Sequence, residues 1–150
     1  MYPLLLVVHS LLRWAVLAAG GAAVLRALTG KQSWSAADDR AGFWFVLAMD
    51  LQFVLGLLLY VGVSPITRVV FADVGGAMGN SMLRFWAVEH LFGMLIAIAL
   101  VHIGRVRIRK ADSSRRRRLA LIFYGLAMAA LLASIPWPGT PAGRPLLRGL

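Results

Sequence analysis

Seven polar or ionisable side chains sit inside runs that are otherwise apolar: His9, Arg13, Asp50, Gln52, Glu89, His90 and His102. Imidazoles ligate metals, relay protons or tie helices together by hydrogen bonds, so three of them among apolar neighbours point to one of those chemistries. A charged group within a membrane span costs several kcal/mol; it faces the bundle interior, finds a partner and is a functional candidate by default. The inventory is short. The chain has three histidines, six acidic residues and no cysteine. That excludes disulfides, thiolate metal sites, c-type haem attachment and iron–sulfur clusters.

The elements that must position these residues follow from composition. The 150 residues are 60% hydrophobic and 15% charged, with a mean hydropathy of +0.77. Soluble domains carry roughly 45–50% apolar and about 25% charged residues, so both a soluble globule and a disordered chain are excluded. Four apolar runs approach the ~20 residues needed to cross ~30 Å of hydrocarbon. They lie at about 3–28, 41–63, 83–104 and 119–135, followed by a Pro- and Gly-rich tail at 136–150. Helices are the only open-chain way to satisfy the backbone in lipid. The expectation is one integral membrane domain with no internal repeat. The N-terminus lacks a basic region and carries His9 and Arg13 in its apolar run, which reads as a retained first helix and not a signal peptide.

The net charge of +10 is distributed unevenly. Arg105, Arg107, Arg109, Lys110 and Arg115 to Arg118 lie between spans three and four, and Arg26, Lys31 and Arg40 between spans one and two. Only Arg68, Arg84, Arg144 and Arg148 belong to the other side. The positive-inside rule therefore places both basic loops in the cytoplasm and both termini outside, in the periplasm of a bacterial inner membrane. The Arg115–Arg118 run reads as an anchor beside anionic headgroups, and no nucleic-acid motif accompanies it. In the outer loop, Val69, Val70 and Phe71 could lie along the membrane surface.

This all-α, up-down-up-down four-helix bundle puts spans one and three on a diagonal. Counted from the outer ends, His9 lies ~9 Å deep and His90 ~10 Å deep. Two level imidazoles on diagonal helices can reach one central atom from opposite sides, as a bis-histidine haem b requires. Met94 is one turn beyond His90. Gln52, Gly56 and Tyr60 share a face of span two, with Gly56 near the histidines' depth. Arg84 and Arg68, at the outer edge, could receive propionates, while Gly20 and Gly21 sit deeper and favour close helix packing. The same residues also permit a hydrogen-bonded interior without a cofactor, or a quinone or metal site.

Arg13 follows His9 by one turn, and its side chain points back toward the outer end. That aims it at the level of Glu89, so an Arg13–Glu89 pair is expected, with contact to a propionate, quinone oxygen or proton path as the other reading. His102 follows His90 by twelve residues, which leaves the rings ~120° apart around the helix and excludes a second haem stacked on the first. It reads either as an interfacial residue or as a partner of Asp50.

Three segments, LLVVHSLLRW (Leu5–Trp14), LRFWAVEHLFGMLIAIALVHIGR (Leu83–Arg105) and IPWP (Ile135–Pro138), resemble small four-helix bacterial membrane proteins of the "cytochrome b-like" type. The likeness runs from the first helix to the tail, and its most specific strings hold His9, Arg13, Trp14, Arg84, Glu89 and His90. It lacks the paired histidines, about fourteen apart on two helices, of respiratory cytochrome b. The resemblance implies haem binding and a redox partner. Together with the residue-level reading it gives two expectations. One is a haem-binding electron-transfer subunit with His9 and His90 as axial ligands and Arg13, Glu89, Met94, Gly56 and Arg84 around them. The other is a cofactor-free accessory subunit of a larger respiratory or photosynthetic complex. Both readings are favoured over a stand-alone enzyme.

Overall fold

The computed structural model describes residues 1–30 and 33–147; Lys31 and Arg148, assigned above to opposite sides, lie outside the described residues. Helix α1 (Tyr2–Thr29) starts with Pro3 in its first turn, where a missing N–H costs nothing, and stops at Gly30. Helix α2 (Ala36–Leu57) begins at a capping box: the Ser35 hydroxyl accepts from the Asp38 N–H while the Asp38 carboxylate accepts from the Ser35 N–H. A π-helical turn, Leu58–Val63, continues α2 to Ser64.

Three short helices form the outer loop. They are α3 (Pro65–Ala72), α4 (Val74–Gly79) and α5 (Ser81–Arg84), capped by Ser64, Asp73 and Asn80. Val70 is buried in α3, while Val69 and Phe71 are exposed. A second π turn, Phe85–Glu89, leads from α5 into α6 (His90–Lys110), and α7 (Ser113–Ser134) follows.

Four continuous helical segments are long and apolar enough to cross a membrane: Tyr2–Thr29, Ala36–Val63, Ser81–Lys110 and Ser113–Ser134. They match the four apolar runs but extend further into the charged residues. Hydropathy falls at the first charges, whereas backbone hydrogen bonding continues through arginine and lysine, both good helix formers.

Helix α1 packs on α2 and α7, and α6 packs on α7 and α2, closing a ring in which α1 and α6 face each other. The core fills this ring with Val16, Phe45, Met49, Val101, Ile108 and Tyr124. Gly20 is where α1 meets this packing, because a Cβ there would collide with Met128 and Phe45. The companion expectation for Gly21 is corrected: a Cβ there meets nothing within 4 Å, since Gly21 lies about 100° further around the helix.

The basic loops are fastened by acids. Arg26 and Arg117 both pair with the buried Asp38 carboxylate, at 2.9 and 3.1 Å. Arg105 forms a bidentate pair with Asp39 at 2.7 and 2.9 Å. Part of the arginine-rich segment thus acts within the fold, with Arg116 donating to the Ala111 carbonyl.

Candidate functional site between the two facing helices

His9 on α1 and His90 on α6 meet across the ring, their centroids 6.5 Å apart and their planes at 75°. The equal depths counted along the sequence are realised as a contact. Two imidazoles bound to one metal through nitrogen at about 2.0–2.1 Å would place their ring centres about 6.3 Å apart.

Each ring is oriented by a neighbour. His90 Nδ1 lies 2.8 Å from the Ser134 carbonyl, which can only accept, so Nδ1 carries the proton and Nε2 keeps its lone pair. Metal-ligating histidines are commonly held this way, by a carbonyl on the ring nitrogen that does not bind the metal. Gly93 lets α6 approach closely enough: a Cβ there would occupy the space of the Ser134 hydroxyl. Phe85 and Trp86, from the π turn before His90, flank its ring at 5.9 and 5.5 Å. Such π segments add a residue to a turn, re-aim the next side chain and occur often at functional sites.

Gln52 governs His9. Its amide nitrogen donates to the His9 carbonyl at 3.1 Å and lies 3.2 Å from His9 Nε2. An amide nitrogen only donates, so Nε2 accepts and the His9 proton sits on Nδ1. Nδ1 has no partner, and neither has Gln52 Oε1. Among the described residues six buried side-chain polar atoms lack a partner, and four of them (His9 Nδ1, Arg13 Nε, Gln52 Oε1, Trp86 Nε1) belong to this one site. Buried polar atoms are normally satisfied, so this concentration marks a place where a water or another ligand belongs.

Three cavities of about 60, 40 and 80 Å³ surround the histidine pair, and all three are lined by His9 and His90. The first reaches Arg13, Trp86 and Arg144; the second reaches Gly56, Tyr60 and Met94 on the α2 side; the third lies toward Tyr2 and Ser64. Gly56 lies against the His9 ring: a Cβ there would stand 3.1 Å from His9 Cε1. Tyr60 is tied to the Ala87 carbonyl at 2.7 Å. The donor set and its spacing suit a haem iron. The separate cavities are smaller than the roughly 300–1,000 Å³ typical of sites for larger ligands. A macrocycle therefore requires Gln52 to leave His9 Nε2 and the cavities to merge.

Arg13 is placed at the site, but its expected partner is corrected. The guanidinium donates to the Leu146 carbonyl at 2.6 Å, and Trp14 Nε1 donates to the same oxygen at 3.0 Å. Glu89 instead pairs with Arg84 at 2.8 Å, both side chains about half exposed. Glu89 is one residue from His90, and therefore about 100° away from the interior-facing ring. The Arg84–Glu89 pair lines a different depression, beside Trp137 and Pro141. Arg84 and Glu89 thus leave the site, and Arg68 is exposed on α3.

Arg144, from the folded-back tail, takes the place expected of Arg84, with its guanidinium 5.2 Å above the Trp86 ring. The sequence reading missed Arg144, Trp86 and the Ser134 carbonyl. Gln52 is polar and inward-facing by sequence, and the structure joins it to His9. His102 and Asp50 are bonded at 2.7 Å, away from this site. Among the described residues no group of three or more His, Cys, Asp or Glu side chains could hold a metal ion.

Comparisons with family models, curated proteins and solved structures find no match to this chain.

Proposed function

We propose that the chain is a small b-type cytochrome-like protein of the bacterial inner membrane, a haem-binding electron-transfer subunit with an up-down-up-down bundle and both termini outside. The observation that carries this reading is the 6.5 Å spacing of His9 and His90, with the His90 Nε2 lone pair left free by the Ser134 carbonyl. His9 and His90 would hold the haem iron, with Met94, Gly56 and Trp86 around it. Haem, when bound, supplies one-electron transfer. Arg13 and Arg144 bring two cations to a site whose lining contains no carboxylate, which suits the two propionates of haem b. A haem ~10 Å from the outer face does not span the bilayer alone, so a redox partner follows.

A second reading has its own observation. Gln52 engages both the His9 carbonyl and Nε2, as it would in a cofactor-free bundle serving as an accessory subunit of a larger complex. Oxidised and dithionite-reduced absorption spectra of the detergent-purified protein, with haem quantified per chain, separate the two. Near-stoichiometric b-type haem, lost in both His9→Ala and His90→Ala, is the expected result. A signal that survives both substitutions overturns the ligand assignment. A colourless, folded protein expressed with ample haem replaces the reading with the accessory subunit.

A further inference from the structure

The cavity of about 60 Å³ beside the histidine pair is bounded by Arg13 from α1, Trp86 from the π turn and Arg144 from the folded-back tail. Arg13 is 9% exposed. Among the described residues its guanidinium bonds only the neutral Leu146 carbonyl, and its Nε has no partner. Trp86 Nε1 is buried without a partner as well. The Arg144 guanidinium is partly buried and lies over the Trp86 ring, with no hydrogen bond or ion pair of its own among the described residues.

Two cations therefore share a cavity that no carboxylate lines. The chain has six acidic residues, and each is placed elsewhere. Asp38 and Asp39 are held by arginines at the basic end, and Asp112 starts α7 there. Asp50 bonds His102, Asp73 caps α4, and Glu89 pairs with Arg84. Arg144 can turn to water, but a buried Arg13 without a counter-charge is costly. The site is built for an anion that the described residues do not supply.

Its size and walls narrow the class. At about 10–15 Å³ for each water-sized group, the cavity has room for roughly four to six of them. Leu17, Leu131 and Ile135 make part of the wall apolar. A carboxylate has about four acceptor sites on two oxygens, enough for the Arg13 and Trp86 N–H groups and the fork of Arg144. We propose that this cavity binds the carboxylate of a free short-chain monocarboxylic acid, with its alkyl end against the leucines. The proposal goes beyond the haem reading and rests on the charge of the site, not on the iron.

The test is isothermal titration of the full-length protein in detergent, expressed without added haem, at constant ionic strength. The probes are butyrate, its neutral isostere butyramide, and chloride. Saturable binding of one butyrate per chain is expected, at least tenfold weaker for butyramide and for chloride. Arg144→Gln and Trp86→Phe, which keep the tail's backbone bond and the aromatic ring, are each expected to weaken it at least tenfold. Arg84→Ala, in the separate depression, is expected to leave it unchanged.

Equal affinities for butyrate and butyramide, or for butyrate and chloride, overturn the carboxylate assignment. Wild-type affinity in both Arg144→Gln and Trp86→Phe overturns the placement. Prior loading with haem, whose propionates carry the same group, is expected to abolish butyrate binding. Butyrate binding by a protein that takes up no haem overturns the haem and leaves this site standing. No saturable butyrate binding by a protein that does take up stoichiometric haem overturns this site and leaves the histidine ligands standing.

Discussion

Gln52→Leu is the most informative single change at the histidine pair, because its cost is a difference between opposing terms. Losing the amide leaves His9 Nε2 buried without a donor, a cost of about 1–3 kcal/mol. The His9 carbonyl still has its α1 ladder bond and loses only a second donor, a bond of the interhelical kind that averages about 0.6 kcal/mol in membranes. Against this, Gln52 Oε1 is itself buried without a partner, and removing it returns about 1–2 kcal/mol. The expected net loss is about 1 kcal/mol. Unfolding in mixed micelles with increasing dodecyl sulfate measures it. The same variant, with haem supplied, is expected to retain its absorbance because Nε2 has been freed. A stability loss above about 3 kcal/mol refutes this reasoning, since it means that Oε1 is satisfied in the protein. A stable variant that loses haem carried by the wild type refutes the view that Gln52 only blocks the ligand.

At the basic end, Asp38→Ala removes the carboxylate shared by the half-exposed Arg26 and by Arg117, which keeps its bonds to the Arg26 and Ser33 carbonyls, and is expected to cost about 1–3 kcal/mol, against about 1 kcal/mol for Ser35→Ala, which removes the cap bond and the hydroxyl's bond to Asp38; the same unfolding assay ranks them. Arg84→Ala breaks a pair whose side chains are 47% and 49% exposed, so after solvent screening less than about 1 kcal/mol is expected, with haem per chain unchanged. Gly56→Leu drives a side chain into the space of His9 Cε1 and is expected to cost about 1–3 kcal/mol and to lower haem per chain. Gly21→Ala, in open space, is expected to gain about 1 kcal/mol from helix propensity.

Hydropathy made the four helices legible, because lipid leaves the backbone one open-chain solution. Counting residues made the histidine contact legible, because helical rise converts position directly into depth. Angle was harder. Depth alone aimed Arg13 at Glu89, but the residue before an interior-facing His90 lies about 100° around the helix and faces outward, where it meets Arg84. Arg144 was out of reach for another reason. It comes to the site through an irregular tail, whose path depends on tertiary bonds such as that from the Arg144 N–H to the Pro136 carbonyl. Neither periodicity nor composition encodes such a path. The His90 bond to Ser134 uses a main-chain carbonyl freed at the end of α7, and no residue type announces it. Asp50–His102, by contrast, was readable as a pair because both residues are rare in their spans.

The bond from Arg13 to the Leu146 carbonyl spans 133 positions of sequence, and this sets a time order on biogenesis. A ribosome makes α1 first and the tail last, so every other helix can insert before the acceptor for Arg13 exists. During that interval the end of the bundle nearest His9 and His90 lacks the segment that carries Arg144. A bulky group loaded then meets an open doorway; one arriving later must displace a latch that both Arg13 and Trp14 hold shut.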